Sequence, residues 1–420
     1  MLQRLIAIAT VATLFSSSLT LAESKDPNQA DKFPPSPLEI TTPDPLLPRS
    51  PKDKQPLTLE EQQRLEIALD ELNQQAAAKL QAGDQVTAFE IWNRELRLRR
   101  FLGFIPEVQA LSRVGEIAWN KNDPQEVQYI TQRLQAIQKQ AIPAKKSAQK
   151  GVVQKGVDLE LLRSLGVAYQ KVRSPKPALE VYNQVLATVR QQQDAVAEVE
   201  TLNTIGGLHL SWFDYPQAAS TYEELLAFAT SRGDRLNEVA YLKQLAYIYD
   251  KTEQPQQAIN VQNKLAQIYV SENNFTAIPE LKFAIASNYE SLAKKNPTLL
   301  QDAFENYQEA YTTAWQLQQY VRAGEALQKL IALYRSQGQT DEALQASQIL
   351  VEIEEQAVNY YGLMEAYDKI GQLYLERKEY PQALTAFQKG LELAQQLKHQ
   401  EAYFTQQIQK LSNGFIEKLN

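Results

Sequence analysis

Cysteine is absent and histidine occurs twice. The chain therefore has no disulfide, no thiolate nucleophile and almost none of the usual zinc ligands. There is no glycine-rich phosphate loop, no HExxH pair and no nucleophile elbow. No strongly basic face is available either. Lys and Arg number 43 against 50 Asp and Glu, a formal charge of -7, which argues against a nucleic-acid binder. These gaps exclude the common enzyme classes. They predict no cofactor, no nucleic acid and no small-molecule substrate.

What is present divides into three stretches. Arg4, an apolar run from Leu5 to Phe15 and the small-residue site Thr20-Leu21-Ala22 predict a signal peptide over residues 1–22. The expected compartment is periplasm or thylakoid lumen, with an uncleaved membrane anchor as the alternative. Residues 23–57 hold nine of the chain's 19 prolines, and proline removes amide donors and favours extended backbone. A disordered, solvated spacer is expected there. At Thr58, followed by Glu61, a capping box opens an amphipathic helix, and residues 58–420 predict one folded body.

That body repeats. "LLRSLGVAYQKVRSPKPALEVYNQVL", "TLNTIGGLHLSWFDYPQAASTYEELL", "YLKQLAYIYDKTEQPQQAINVQNKLA" and "AYDKIGQLYLERKEYPQALTAFQKGL" share one pattern. A small residue is followed three later by an aromatic or His, nine further by Ala, and usually four after that by an aromatic. The pattern resembles the tetratricopeptide repeat, with position 8 at Gly166, Gly206, Ala246, Ala286 and Gly371. Position 20 falls on Ala178, Ala218, Ala258, Ala303 and Ala383. Small residues at both positions let two helices approach closely, and each hairpin leaves an apolar face for the next to cover. The resemblance implies an all-α, right-handed solenoid of about eight hairpins, closed by a C-terminal helix carrying Phe404, Ile408, Leu411, Phe415 and Leu419. Gly166, Gly206, Ala246 and Ala286 lie forty apart, so each helix should be nearly one turn longer than usual. Such long repeats look like those of peptide-binding scaffolds of the kinesin-light-chain type.

Function follows from the resemblance. It implies a non-enzymatic scaffold binding protein or peptide segments on a concave face built by positions 2, 5, 9, 12 and 13 of each first helix. Those positions give Trp119, Asn120, Arg163, Lys171, Asn203, Lys243, Tyr247, Lys251 and Phe283. Tyr247 stands where the chaperone-binding carboxylate clamp has Asn, so chaperone binding is not carried over. An exported chain with a Pro-rich lead is similar in architecture to cyanobacterial lumen factors, which implies help in photosystem II assembly and manganese handling. A structural part of a secretion or cell-wall complex is the third reading. Residues 139–155, with five lysines and no acid, are a candidate membrane-surface contact or a frayed helix extension. His209 occupies a core slot, His399 a loop, and Glu354 and Glu355 an expected exposed face.

One cluster runs against the acidic balance: "WNRELRLRRFLGF" places four arginines within seven positions. At 100° per residue Arg94, Arg97 and Arg100 are expected to face solvent. Arg99 falls within the apolar arc and is expected to pair with Glu95, one turn before it.

Overall fold

The computed structural model describes residues 36–39, 43–48, 55–141 and 158–419. The signal-peptide reading and most of the lysine-rich insertion lie outside the described residues. All regular elements among the described residues are helical, and the chain divides into two compact units, residues 1–150 and 151–420.

The first unit consists of α1 (Leu59–Gln81), α2 (Gln85–Arg99), α3 (Phe104–Asn120) and α4 (Pro124–Ala141), each packed on the next. The capping box forms as expected. Thr58 N–H donates to Glu61 Oε2 at 2.8 Å and Glu61 N–H to Thr58 Oγ1 at 3.3 Å, satisfying two of the orphan donors at the helix start. Trp92 is buried edge-on against Phe89, and its indole N–H donates to Asn73 Oδ1 at 2.9 Å.

Ion pairs occupy the helix junctions of this unit. Glu95 is fully buried and accepts from Arg99 Nε at 3.1 Å, the expected pair, and from Arg113 at 2.7 and 2.9 Å. Arg99 also donates to Asp70 at 2.5 Å. Burial pushes the Glu95 carboxyl up against the opposing pull of both arginines. A second buried acid, Glu107, takes Arg133 through two bonds and Arg100 at 3.2 Å.

The other three arginines of the cluster are not free in solvent. Arg94 grips Asp44 through two bonds of 2.8 and 2.9 Å, Arg97 donates to the Pro37 carbonyl at 2.6 Å, and Arg100 donates to the Leu38 carbonyl. Residues 36–39 and 43–48 therefore lie on α2 as a strap, and the solvated spacer expected over 23–57 is corrected for these two stretches. The physical reason is double. Proline leaves carbonyls without helical partners, which guanidinium donors can take up. Two leucines on the strap are buried: Leu38 is 2% exposed, and Leu47 joins Leu65, Leu69, Leu72 and Leu98 in one apolar cluster.

The second unit is a row of hairpins: α5 (Leu159–Lys171), α6 (Pro175–Gln191), α7 (Ala195–Ser211), α8 (Tyr215–Arg232), α9 (Arg235–Lys251), α10 (Pro255–Ser271), α11 (Ile278–Ala293), α12 (Leu300–Gln316), α13 (Tyr320–Ser336), α14 (Thr340–Gln356), α15 (Tyr360–Glu376), α16 (Tyr380–Leu397) and the unpaired α17 (Glu401–Leu419). Each helix packs on its successor, and both units show the all-α solenoid build that the repeat pattern implies. Helices of 17 to 18 residues fill the forty-residue period from α7 to α10. Between α11 and α12 the chain makes a short 3-10 turn, Pro297–Leu299.

Close approach at positions 8 and 20 explains the small residues. Ala178, Ala218, Ala258, Ala303, Ala343 and Ala383 are fully buried. A Cβ at Gly166 would stand 2.7 Å from the Tyr182 ring, and one at Gly371 2.6 Å from Phe387. Hairpin turns close through a left-handed residue that is mostly not glycine: Arg173, Phe213 and Glu253 have φ of 54°, 59° and 52°. Helical geometry cannot continue past such a residue, and its side chain is thrown outward; Phe213 is 74% exposed. Pro175, Pro216, Pro255 and Pro381 then start the second helices, where the missing amide would have no partner. α17 buries Phe404 against Phe387 and Met364.

Glu354 is a correction. It is 3% exposed, not on an open face, because Gly324 and Gly362 leave room for its carboxylate between α13 and α15. Asn359 donates to it at 2.7 Å and Gln328 at 3.3 Å, while burial pushes its pKa up.

Candidate functional site

First helices α5, α7 and α9 carry a surface whose side chains are not absorbed by the core. On α5, Arg163 and Lys171 are exposed. On α9, Lys243, Tyr247 and Lys251 recur every four residues along one stripe, all exposed. Lys251 stands 5.6 Å over the Tyr247 ring and Lys243 5.9 Å over Tyr269. Tyr247 is in turn edge-on to Tyr215 at 6.4 Å, and Tyr215 to Phe213 at 6.2 Å, an open aromatic chain along the turn between α7 and α8. The Tyr247 hydroxyl beside it holds the Tyr215 phenol above its ordinary pKa.

Asn203 on α7 is tied in. Its amide nitrogen donates to the Val199 carbonyl and to Tyr241 Oη, both at 2.9 Å, which links α7 to α9. Phe283 departs from the expected groove. It is half-buried, edge-on to Tyr307 at 5.2 Å, so packing accounts for much of its ring. Trp119, 46% exposed, and Asn120 end α3 in the first unit. Arg163, Lys171, Asn203, Lys243, Tyr247 and Lys251 are thus exposed on α5, α7 and α9, while Phe283 is drawn toward the core.

Between the α5–α6 turn and α7 lies a recess of about 340 Å³. Gln170, Arg173 and Pro175 form one wall; Asn203, Gly207 and Trp212 form the floor and the other. Gln170 donates through Nε2 to Tyr182 Oη at 3.0 Å, so its carbonyl end remains for an outside donor. Trp212 is 48% exposed. Of these residues the sequence reading included Asn203 alone. Gly207 sits at position 9, and the doublet Gly206-Gly207 was the available signal, since close packing needs only the first.

His209, expected in a core slot, is partly buried and meets Asp214 Oδ2 through Nδ1 at 3.1 Å. Acids near the groove are likewise engaged. Asp250 is pushed up by burial and accepts from Asn288 at 3.4 Å, and Glu290 accepts from Tyr307 Oη at 2.8 Å and Lys329 at 3.1 Å. No group of three or more His, Asp or Glu converges into a metal site among the described residues.

Comparison with known proteins adds the following. No curated protein matches the chain. Among solved structures, MamA is 23% identical with a TM-score of 0.34, covering 46% of this chain and 96% of its own. The apo form of RapI is 13% identical, TM-score 0.41, covering 69% and 77%. The apo quorum sensor NprR from B. thuringiensis is 15% identical, TM-score 0.34, covering 73% and 80%. Residues 322–396 match the tetratricopeptide repeat family, so the chain carries tetratricopeptide repeats there, and the hairpins before them keep the same small-residue contacts.

Proposed function

We propose that the chain is a non-enzymatic scaffold that holds segments of partner proteins along the α5, α7 and α9 face. One observation carries this reading: Phe213 and Tyr247, 74% and 46% exposed, form one open aromatic chain through Tyr215 with Lys251 over the Tyr247 ring, and the neighbouring Trp212 is 48% exposed. Exposed aromatics beside long cations form a surface of large area and low ordering cost, the composition that dominates binding energy at protein interfaces. A folded domain with no such role would gain by covering these rings.

Export to the cell envelope is part of the proposal and is supported by the N-terminal sequence pattern alone. Assistance to photosystem II assembly, manganese handling and membership of a secretion or cell-wall complex are narrower forms resting on architectural resemblance. The test is in-cell crosslinking of the full chain, wild type against Arg163→Glu/Tyr247→Ala. A defined set of partners should be recovered with the wild type and lost with the variant. Equal recovery by both would remove the groove from the function.

A further inference from the structure

A glycine inside a helix costs about 1 kcal/mol relative to alanine and needs a reason. Six other helical glycines have one. Gly166, Gly206, Gly371 and Gly390 lie under the rings of Tyr182, Tyr222, Phe387 and Phe404, and Gly324 and Gly362 border the Glu354 carboxylate. Gly207 is different. It lies in the interior of α7, its φ is not left-handed, and a Cβ built on it meets nothing within 4 Å. Internal packing does not account for it, and what an added side chain would enter is the recess of about 340 Å³ beside Asn203 and Trp212.

From this we propose that the Gly207 recess is a binding pocket for a bulky apolar side chain of an extended peptide, with a side-chain carboxylate next to it in sequence. This occupant holds only if the scaffold reading holds, and it names the chemistry of the partner. The apolar part follows from the walls: the exposed indole of Trp212, Leu208 and Pro175 surround the floor that Gly207 leaves open. The carboxylate follows from Arg173. It lines the recess, the left-handed turn projects it outward, and no carboxylate among the described residues pairs with it. The extended backbone follows from Gln170 and Asn203. Their amide nitrogens are engaged within the protein, so each offers an oxygen, which suits main-chain N–H donors. An exposed arginine fork facing a carboxylate gives orientation as well as affinity.

The probes are three acetylated, amidated, fluorescein-labelled peptides in a Gly-Ser frame, carrying Phe-Asp, Phe-Asn or Gly-Asp at the centre. Fluorescence anisotropy with the full chain should rank Phe-Asp tightest. Gly207→Leu fills the floor without touching the core, so it should weaken Phe-Asp binding about tenfold. Its thermal midpoint should be no lower than that of the wild type, because leucine favours helix over glycine. Gly207→Ala, adding one methyl, should fall between them. Arg173→Gln should bring Phe-Asp and Phe-Asn together. Equal binding of Phe-Asp by wild type and Gly207→Leu would overturn the pocket, and no preference for Asp over Asn would overturn the carboxylate. If the wild type binds none of the three while crosslinked partners still depend on Arg163 and Tyr247, the pocket is refuted and the scaffold stands. If no partner depends on that face, the scaffold reading itself is refuted.

Discussion

Asn93 and Glu126 show how one buried pair can set a pH response. Asn93 Nδ2 donates to Glu126 Oε2 at 3.1 Å, while Asn93 Oδ1 and Glu126 Oε1 are buried with no partner. Burial first, and the nearby Asp123 charge, raise the carboxyl from 4.5 to about 7, against the lowering effect of the Asn93 bond. The folded chain therefore holds a proton that the unfolded chain releases between pH 4.5 and about 7. Stability from this group is fully present below 4.5 and is lost as pH rises through 7, a change of about 3 kcal/mol at most. Glu126→Gln, which keeps the shape and cannot ionise, should flatten that slope in urea unfolding measured across pH 4 to 8 (~ range set by the carboxylate pKa shift). An unchanged slope would show that Glu126 is not its source. Charge placement of this kind was only partly legible in the sequence. Glu95–Arg99 could be read because helical periodicity puts the two residues one turn apart on an apolar arc. Glu354 could not, because the space around it is made by glycines on two other helices.

Helices were the most legible elements, since each announces itself through apolar spacing and many add a capping side chain or an initial proline. The strap was not. Its composition reads as solvated chain, and its partners lie far along the sequence, with Asp44 fifty residues from Arg94 and Leu38 sixty-two from Arg100. Composition reports what a segment does alone; α2 supplies what it lacks. The aromatic face shows a similar limit. Tyr247 and Lys251 follow from repeat register, whereas Trp212 and Arg173 reach the recess through turn geometry that the register does not encode. Burying Leu38 and Leu47 contributes about 3 to 6 kcal/mol before chain-ordering costs of similar size are set against it. Leu38→Asp with Leu47→Asp should therefore release the strap. The observable is hydrogen exchange at the Glu39 and Leu47 amides, which donate to the Ser36 and Asp44 carbonyls at 3.0 Å. Fast exchange in the variant and slow exchange in the wild type is expected; fast exchange in both would mean that the strap is not held in solution.

For each unit taken as one body, the repeat brings a liability that single globular domains do not have. Every hairpin is built to be covered by another hairpin much like itself, so an uncovered apolar face accepts a neighbour's hairpin as readily as its own. In the second unit α17 seats Phe404 on the face left by α15 and α16. In the first, the cluster of Leu65, Leu69, Leu72 and Leu98 is joined by Leu47 of the strap. The arginines expected to face solvent thus serve as clasps on a stopper. Without residues 36–39 and 43–48 the leucine cluster would lie open to another copy of the chain, and growth by heterologous contacts has no natural end. Colloidal behaviour, a property that none of these side chains shows singly, is then set by the ten residues 36–39 and 43–48 of proline-rich chain.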